Sequence, residues 1–276
     1  MCRVLSVCSS GYYAWRKRPE SARARQNRDL LSEIKVLHAE TRQSYGSPRM
    51  HKALKDRGFS CGENRIARLM HRHEIKAKKP RSYKRTTDSN HTLAVAENVL
   101  DRRFSPDHPD QVWGCDITYI STREGWLYLA VVMDLFSRRI VGWSMQSRLH
   151  RDLVLDALKM ALRGRGPAQD LLHHSDRGSQ YASLDYQDLL DDWDIVCSMS
   201  RRGNCWDNAP VESFFASLKR EWVPAQSYQT RAEAQSDIFE YLEIWYNRRR
   251  LHSSLGYVSP VQYEETYYRN ALSIAA

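Results

Sequence analysis

Residues 112–120 read VWGCDITYI, an apolar, β-branched and aromatic stretch with one acidic residue, Asp116, at its centre. A buried carboxylate is costly unless it is paired with a cation or ligates a metal. Two more acids stand in similar settings: Asp176 ends the apolar run of LLHHSDRGSQY, and Glu212 opens the apolar helical stretch of GNCWDNAPVESFFASLK. Three such carboxylates on separate elements of one domain predict a shared cation.

The sequence around these acids predicts alternating strands and helices. Three strands joined by short turns should pair antiparallel, and a helix, a strand, a helix, a strand and a helix follow. This order predicts an α/β fold with a mixed sheet and helices on both faces. The predicted strands are 112–120, 126–134, 140–144, 171–174 and 195–199, and the predicted helices begin near residues 151, 184, 208 and 230, the last ending near residue 250.

The first 75 residues predict a separate, all-helical region. We expect a short helix, a turn at residues 8–11, a second short helix, and a longer helix from about Gln26 to Thr41. Two further helices flank the glycine-containing turn after Gly58, which is the pattern of a helix-turn-helix unit. The polar side of the second helix carries side chains suited to phosphates and base edges, or simply a solvated basic face. These side chains are Asn64, Arg65, Arg68, His71 and Arg72.

Charge is unevenly distributed along the chain, whose formal net charge is +9. Residues 1–105 carry 24 basic and 10 acidic side chains, whereas residues 106–276 carry 18 basic and 23 acidic ones. A basic half of this kind is suited to a polyanion, and an acidic half can gather cations. We predict a basic linker over residues 76–105, because residues 76–85 hold six basic side chains and no acidic one, among them Lys76, Lys78 and Lys79.

Composition excludes several classes of protein. No run of 18 apolar residues is present, so we expect no membrane span. None of the six cysteines forms a C-x-x-C pair, which favours reduced thiols in a cytoplasmic protein. His71 and His73 are too few ligands for a zinc site. Asp134, at the end of an apolar strand, is a fourth candidate acid, which we interpret as structural because the other three already form a set.

The three acids and their local strings resemble the integrase/transposase superfamily with a ribonuclease-H-like fold. Thirty-five residues separate Asp176 from Glu212, in the D, D-35-E order of that superfamily. Within it, the chain resembles the second-reading-frame proteins of bacterial insertion-sequence transposases. Four further strings carry this resemblance, namely SGYYAW, YGSPR, RIARLM and YNRRRLHSSLGYVSP.

The resemblance implies a ribonuclease-H-like integrase catalytic core over residues 106–270, preceded by the helix-turn-helix region and the linker. It implies that Asp116, Asp176 and Glu212 are the catalytic, metal-binding triad. Two Mg²⁺ ions, with Mn²⁺ able to substitute, would serve metal-dependent DNA cleavage and strand transfer. Lys219 matches a position near substrate DNA, although an exposed lysine on an amphipathic helix is the simpler interpretation.

The same resemblance implies partners. We expect binding to the terminal inverted repeats of an insertion element and to target DNA, by a homo-oligomer in the bacterial cytoplasm at the nucleoid. An upstream-frame protein, joined by frameshifting, is a further expected partner, because this chain has no heptad repeat of its own. Two alternatives stay open at this point: a DNA-binding regulator without catalysis, and a nuclease that cuts without joining.

Overall fold

The computed structural model describes Cys2 and residues 4–78, 95–167, 170–202 and 204–275. The chain divides into two compact units, Met1–Lys78 and Lys79–Ala276. The domain boundaries expected at residues 75 and 105 stay a prediction. No helix in the described ranges is both long enough and apolar enough to cross a membrane.

The first unit is helical, as predicted. Helix α1 spans Ser9–Lys17, α2 spans Ala22–Glu40, α3 spans Ser47–Asp56 and α4 spans Glu63–Arg72. The turn between α3 and α4 contains Gly58 in a left-handed conformation (φ 86°), which glycine adopts without strain at the end of a helix. Apolar side chains from α2, α3 and α4 form one small core. They are Leu30, Ile34, Leu37, Met50, Leu54, Ile66, Leu69 and Met70.

The prediction for the first 17 residues is wrong in two respects. Residues 4–8 form no helix, and the expected turn at residues 8–11 belongs to α1, with Cys8 as its N-cap. The carbonyl of Cys8 accepts a hydrogen bond from the Tyr12 N–H at 3.0 Å and so closes the first helical turn. Serine and glycine favour turns, but they are also tolerated at a helix start, where the first N–H groups have no partner within the helix.

The second unit is built on a five-stranded mixed sheet with the order β3-β2-β1-β4-β5. Its strands are β1 Val112–Thr122, β2 Gly125–Asp134, β3 Ile140–Gln146, β4 Leu172–Ser175 and β5 Val196–Met199. The first three strands pair antiparallel, and β1–β4 and β4–β5 pair parallel. The predicted α/β class and mixed sheet are therefore confirmed.

Helices cover both faces of this sheet. Helices α5 (Arg151–Arg165) and α6 (Leu184–Asp191) share a core with Trp113, Cys115, Ala130 and Val132, which point to one face. Side chains of a strand alternate between faces, so Gly114 and Asp116 belong to the other face. Helix α7 (Ala209–Glu221) packs there, because a Cβ on Gly114 would lie only 2.9 Å from Val211.

The last predicted helix begins as expected. Helix α8 spans Arg231–Phe239, and the side chain of its N-cap Thr230 accepts a hydrogen bond from the Glu233 N–H. The Glu233 carboxylate bonds back to the N–H of Gln229, one residue before the cap, at 2.8 Å. A capping box is thus present, with its return bond displaced by one residue.

The second half of that helix differs from the prediction. From Glu240 to Tyr246 the chain forms a π-helix, and the helix ends before residue 250. The wider π turn brings residues five apart onto one side. Tyr241 and Tyr246 are accordingly both buried, and Tyr246 packs edge-on against Phe214 with ring centroids 4.7 Å apart. A further helix, α9 (Pro260–Ala275), is absent from the expectations drawn from sequence.

Close packing of α5 on β3 gives a stability prediction. A Cβ on Gly142 would overlap the carbonyl oxygen of Ala157 and approach Ala161 Cβ to 2.8 Å, so backbone would have to move. We expect Gly142→Ala to lower the free energy of unfolding by roughly 1–3 kcal/mol. Gly164→Ala, at an exposed position of α5, is the control, because no neighbouring group lies within 4 Å of a Cβ there. That control should be neutral or stabilising by up to about 1 kcal/mol in urea unfolding. Equal losses in both variants would contradict the packing described.

Candidate active site

The three acids of the predicted triad come from three elements on one face of the sheet. Asp116 lies in the middle of β1, Asp176 follows the end of β4, and Glu212 lies in the first turn of α7. Strands β1 and β4 are parallel neighbours, with Gly114 paired to His174. Asp116 and Asp176 are each two residues beyond that pair, so the sheet register sets them side by side.

Electrostatics show that the acids act on one another. Burial raises the pKa of Asp116 well above its usual range, and the negative charges of Asp176 and then Glu212 raise it further. Burial and the charge of Asp176 likewise raise the pKa of Glu212. A carboxylate whose charge raises the pKa of another lies within electrostatic reach of it, and a cation bound between them would relieve that repulsion.

Local hydrogen bonds orient two of these carboxylates. Asp116 Oδ1 accepts from the N–H of Ile117 at 2.7 Å, and Asp176 Oδ1 accepts from the N–H of Gly178 at 2.8 Å. A Cβ on Gly178 would lie 2.9 Å from Asp176 Oδ1, so a side chain there would push the carboxylate aside. The glycine in the string DRGS is therefore explained by the approach of its backbone to Asp176.

The donor set is chemically suited to a hard divalent cation. Carboxylate oxygens are the ligands that Mg²⁺ prefers, and a cation would remove the mutual repulsion seen in the pKa shifts of Asp116 and Glu212. Across the described ranges, no group of three or more His, Cys, Asp or Glu side chains is arranged so that it could already hold a metal ion. The acids therefore act on one another electrostatically without being arranged as a preformed metal site.

The start of α7 is fixed by two buried residues, Asp207 and Asn208, which were not among the candidate site residues. Asn208 donates from Nδ2 to the carbonyl of Cys115 at 2.9 Å, next to Asp116 in β1. Asp207 is fully buried and accepts 2.9 Å hydrogen bonds from Arg201 and Arg102. These contacts determine where Glu212, one turn further along, is placed. The local signal that could have indicated this role is the pair of Asp and Asn residues just before the helix, since both residue types favour the start of a helix.

Lys219 lies near the acids, on α7 and two turns beyond Glu212. Its side chain is half-buried. Burial lowers the pKa of the Lys219 ammonium, and the negative charge of Asp116 acts in the opposite direction. The lysine is thus within electrostatic reach of the site and is not a fully solvated side chain of the helix.

The basic residues of the first unit lie in several settings. Arg65 is half-buried, and its Nε donates to Asn27 Oδ1 of α2 at 2.8 Å. Arg68 and Arg72 are exposed, and the Nε of Arg68 bonds to the carbonyl of Asn64 within α4. Lys76 and Lys78 are exposed, and the backbone N–H of Lys78 bonds to the carbonyl of Gln43. The predicted DNA contact Lys79 lies outside the described residues.

Asp134 belongs to a different network. It is fully buried, accepts from the N–H groups of Asp110 and Phe136, and lies 3.5 Å from Arg165. Burial raises its pKa to about 7. Its partners are all outside the triad, in agreement with the structural interpretation of this acid.

Asp207 gives a pH-dependent prediction. Its hydrogen bonds with Arg201, and then those with the Arg201 N–H and Arg102, hold its pKa well below the ordinary aspartate value of about 3.9. A depressed folded-state pKa contributes stability above the unfolded value and loses it as pH falls. We expect Asp207→Asn to cost roughly 1.5–3 kcal/mol at pH 7, with the difference from wild type shrinking below about pH 4.

Urea unfolding followed by tryptophan fluorescence measures this difference, since seven of the eight tryptophans lie in the second unit. Asp188→Asn, which neutralises an exposed aspartate of α6, is the matched control and should change little at any pH. A cost of Asp207→Asn that stays constant from pH 7 down to pH 3 would contradict the assignment of an ionised Asp207.

Family models match the chain in three places. An integrase core domain model matches residues 106–205, a second integrase core domain model matches residues 212–267, and an HTH-like domain model matches residues 25–83. The first two matches cover the strands and helices that carry the three acids. The third covers most of the helical first unit.

Two of the solved structures that this chain matches come from viruses, each with a TM-score below 0.5. A simian T-cell lymphotropic virus intasome in complex with PP2A regulatory subunit B56 gamma gives a TM-score of 0.48 at 15% identity, covering 84% of this chain and 74% of that chain. The HTLV-2 integrase catalytic core domain in complex with magnesium (trimeric form) gives 0.44 at 17% identity, covering 57% and 98%.

Two curated relatives share much more sequence with this chain than those solved structures do. A protein of Shigella sonnei described as the insertion element IS600 uncharacterized 31 kDa protein is 45% identical over 98% of this chain and 100% of its own length. Transposase InsF for insertion sequence IS3A of Escherichia coli (strain K12) is 43% identical over 96% of this chain and 92% of its own length. With such identity over nearly the whole chain, and with the integrase core matches, this protein belongs to the family of InsF-type insertion-sequence transposases.

Proposed function

We propose that this transposase cleaves DNA at the ends of its insertion element and joins those ends to target DNA at one site formed by Asp116, Asp176 and Glu212. The observation that carries the proposal is the electrostatic coupling of these acids, which three separate elements bring to one face of the core. Their carboxylates would act as metal ligands, because no other side-chain chemistry in the group accounts for clustering negative charge.

Two Mg²⁺ ions, or Mn²⁺ in their place, fit this donor set. When bound, divalent cations at such a site activate an oxygen nucleophile and stabilise the leaving oxygen of the phosphodiester. Asp116, whose pKa is raised by burial and then by the charges of both other acids, would hold such ions together with Asp176 and Glu212.

The residues of the chain supply the rest of the chemistry by position and charge. Lys219 places a cationic group within reach of Asp116, where it can hold a phosphate oxygen of the substrate. The same acids serve both cleavage and strand transfer, since each step exchanges one oxygen for another at phosphorus. No serine or tyrosine nucleophile is required, so no covalent enzyme–DNA intermediate is proposed.

Basic residues of the first unit, and Lys79 directly after it, are proposed to bind DNA. Arg68 and Arg72 are exposed on α4 and step by four residues, so they lie on one side of the second helix of the helix-turn-helix pair. Arg65 precedes them on the same helix, and its bond to Asn27 would fix the direction of the guanidinium. Lys76, Lys78 and Lys79 would add sequence-independent contacts with phosphates.

The proposed working form is an assembly on DNA. We propose that copies of the chain bind the terminal inverted repeats together as a homo-oligomer, and that an upstream-frame segment fused by frameshifting adds further DNA recognition. The site of action would be the nucleoid of the bacterial cytoplasm, where both the element and its targets lie.

Three isosteric variants test the triad. Asp116→Asn, Asp176→Asn and Glu212→Gln each replace one carboxylate oxygen and leave the shape of the side chain nearly unchanged. We expect each to reduce cleavage and strand transfer together by about a hundredfold or more in Mg²⁺, on a duplex that carries the element's terminal repeat. DNA binding, followed by gel shift at one salt concentration, should survive in all three.

Asp188→Asn, an exposed aspartate on α6, is the control and should keep full activity. A triad variant with near wild-type activity would remove that residue from the ligand set. Wild-type protein that cuts without joining would indicate a nuclease. Wild-type protein that binds the repeat but neither cuts nor joins in Mg²⁺ or Mn²⁺ would leave only a DNA-binding regulator, which no contact in the site favours.

A further inference from the structure

The last part of the predicted linker contacts the catalytic core closely. Residues 95–105 precede β1 and belong to the second unit. Within them, residues 98–102, which we call the brace, bond to two separate places in the core. One is Ser198 in β5, and the other is Asp207 before α7.

The first route runs from the brace to Asp176. Ser198 Oγ accepts from the N–H groups of Val99 and Leu100 at 3.0 and 3.2 Å, and it lies 2.9 Å from His174 Nδ1. His174 Nε2 lies 3.1 Å from Ser200 Oγ. Ser200 in turn donates from its N–H to the carbonyl of Ser175 at 2.9 Å, at the peptide that joins Ser175 to Asp176.

Hydrogen positions along this route follow from counting donors and acceptors. Two N–H groups use both lone pairs of Ser198 Oγ, so the Ser198 hydroxyl must donate its own proton to His174 Nδ1. His174 therefore carries its proton on Nε2 and donates it to Ser200 Oγ, which donates to the carbonyl of Ser175 at 3.3 Å. All bonds point in one direction, and each buried polar atom of the route is satisfied by the next.

The second route runs from the brace to Glu212. Asn98 Nδ2 and Arg102 Nε each donate to the Asp207 carboxylate at 2.9 Å. Asn98 is itself oriented, because its Oδ1 accepts from the Asp101 N–H at 2.9 Å. Asp207 directly precedes Asn208, which holds the start of α7 against β1. The brace thus reaches the helix that carries Glu212.

We propose that the brace is a positioning element of the metal site, which sets Asp176 through Ser198 and His174 and sets Glu212 through Asp207. This inference rests on the proposed function of the triad. None of the brace residues touches the reacting atoms. Their effect would be on how well the carboxylates are arranged to bind a cation, as for other groups that orient metal ligands from behind.

Metal binding without DNA separates a positioning role from a general loss of stability. The full-length protein is titrated with Mn²⁺, free Mn²⁺ is measured by electron paramagnetic resonance, and Tm is measured in chelator. We expect Arg102→Ala and Ser198→Ala to raise the Kd for Mn²⁺ about tenfold. Arg102→Lys keeps a positive charge that can form the one hydrogen bond made by Arg102 to Asp207. The Kd of this variant for Mn²⁺ should therefore be within a few-fold of wild type.

Arg139→Ala is the matched control. Arg139 pairs with the buried Glu264 much as Arg102 pairs with the buried Asp207, and the arginines are 34% and 46% exposed. Each carboxylate keeps a second arginine in the variant, Arg165 for Glu264 and Arg201 for Asp207. Arg139→Ala should therefore lower Tm similarly while leaving the Kd for Mn²⁺ unchanged.

The result that overturns the proposal is an equal Kd for Arg102→Ala and Arg139→Ala, whether both are weakened or both match wild type. If Ser198→Ala does not fold, the pair of arginine variants decides alone. Asp116→Asn serves as the reference for the triad itself. If it binds Mn²⁺ as wild type does, the metal site is misassigned and the positioning role fails with it. If it loses Mn²⁺ while Arg102→Ala binds normally, only the positioning role is wrong.

Discussion

Mutual repulsion between carboxylates is the constraint around which the second unit is arranged. Two like charges about 4 Å apart repel by roughly 4 kcal/mol at an effective dielectric constant of 20. Asp116 and Glu212 both have raised pKa values because burial and a neighbouring acid act on each. Such carboxylates stay close to one another only if the packing of the elements that carry them outweighs the electrostatic repulsion, or if a bound cation neutralises it.

Helix α7 shows how firmly one of these elements is held. At its start, Asn208 bonds to β1, and Asp207 is ion-paired to Arg201 and Arg102. At its end, the buried carboxylate of Glu221 accepts two hydrogen bonds from Arg250, at 2.6 and 2.7 Å. A buried ion pair contributes little net stability, but removing one of its two side chains is costly because the other charge is left buried and unpaired. Anchoring at both ends therefore fixes the position of Glu212 along the sheet.

Sequence was informative where the signal is local. The apolar, β-branched and aromatic stretch VWGCDITYI predicted β1. The local settings of Asp116, Asp176 and Glu212 predicted a shared site, which stays a prediction, although the charges of Asp176 and Glu212 both act on Asp116. Periodicity could not indicate that Asn98 and Arg102 meet Asp207, because that contact spans more than 100 residues and involves polar side chains. The sequence analysis also did not predict helix α9. Its Glu264 bonds to Arg139 and Arg165, which lie far earlier in the chain. Local turn composition misled at residues 8–11, where a helix start and a turn use the same residues.

The position of a bound ion tests the central claim most directly. Crystals of the protein soaked in Mn²⁺, with anomalous diffraction measured near the manganese edge, would locate the cation independently of activity. The account predicts an anomalous peak about 2.1 Å from carboxylate oxygens of Asp116 and Asp176, with Glu212 facing the same site. A protein that holds Mn²⁺ only elsewhere, with these three carboxylates making no contact to it, would contradict the account.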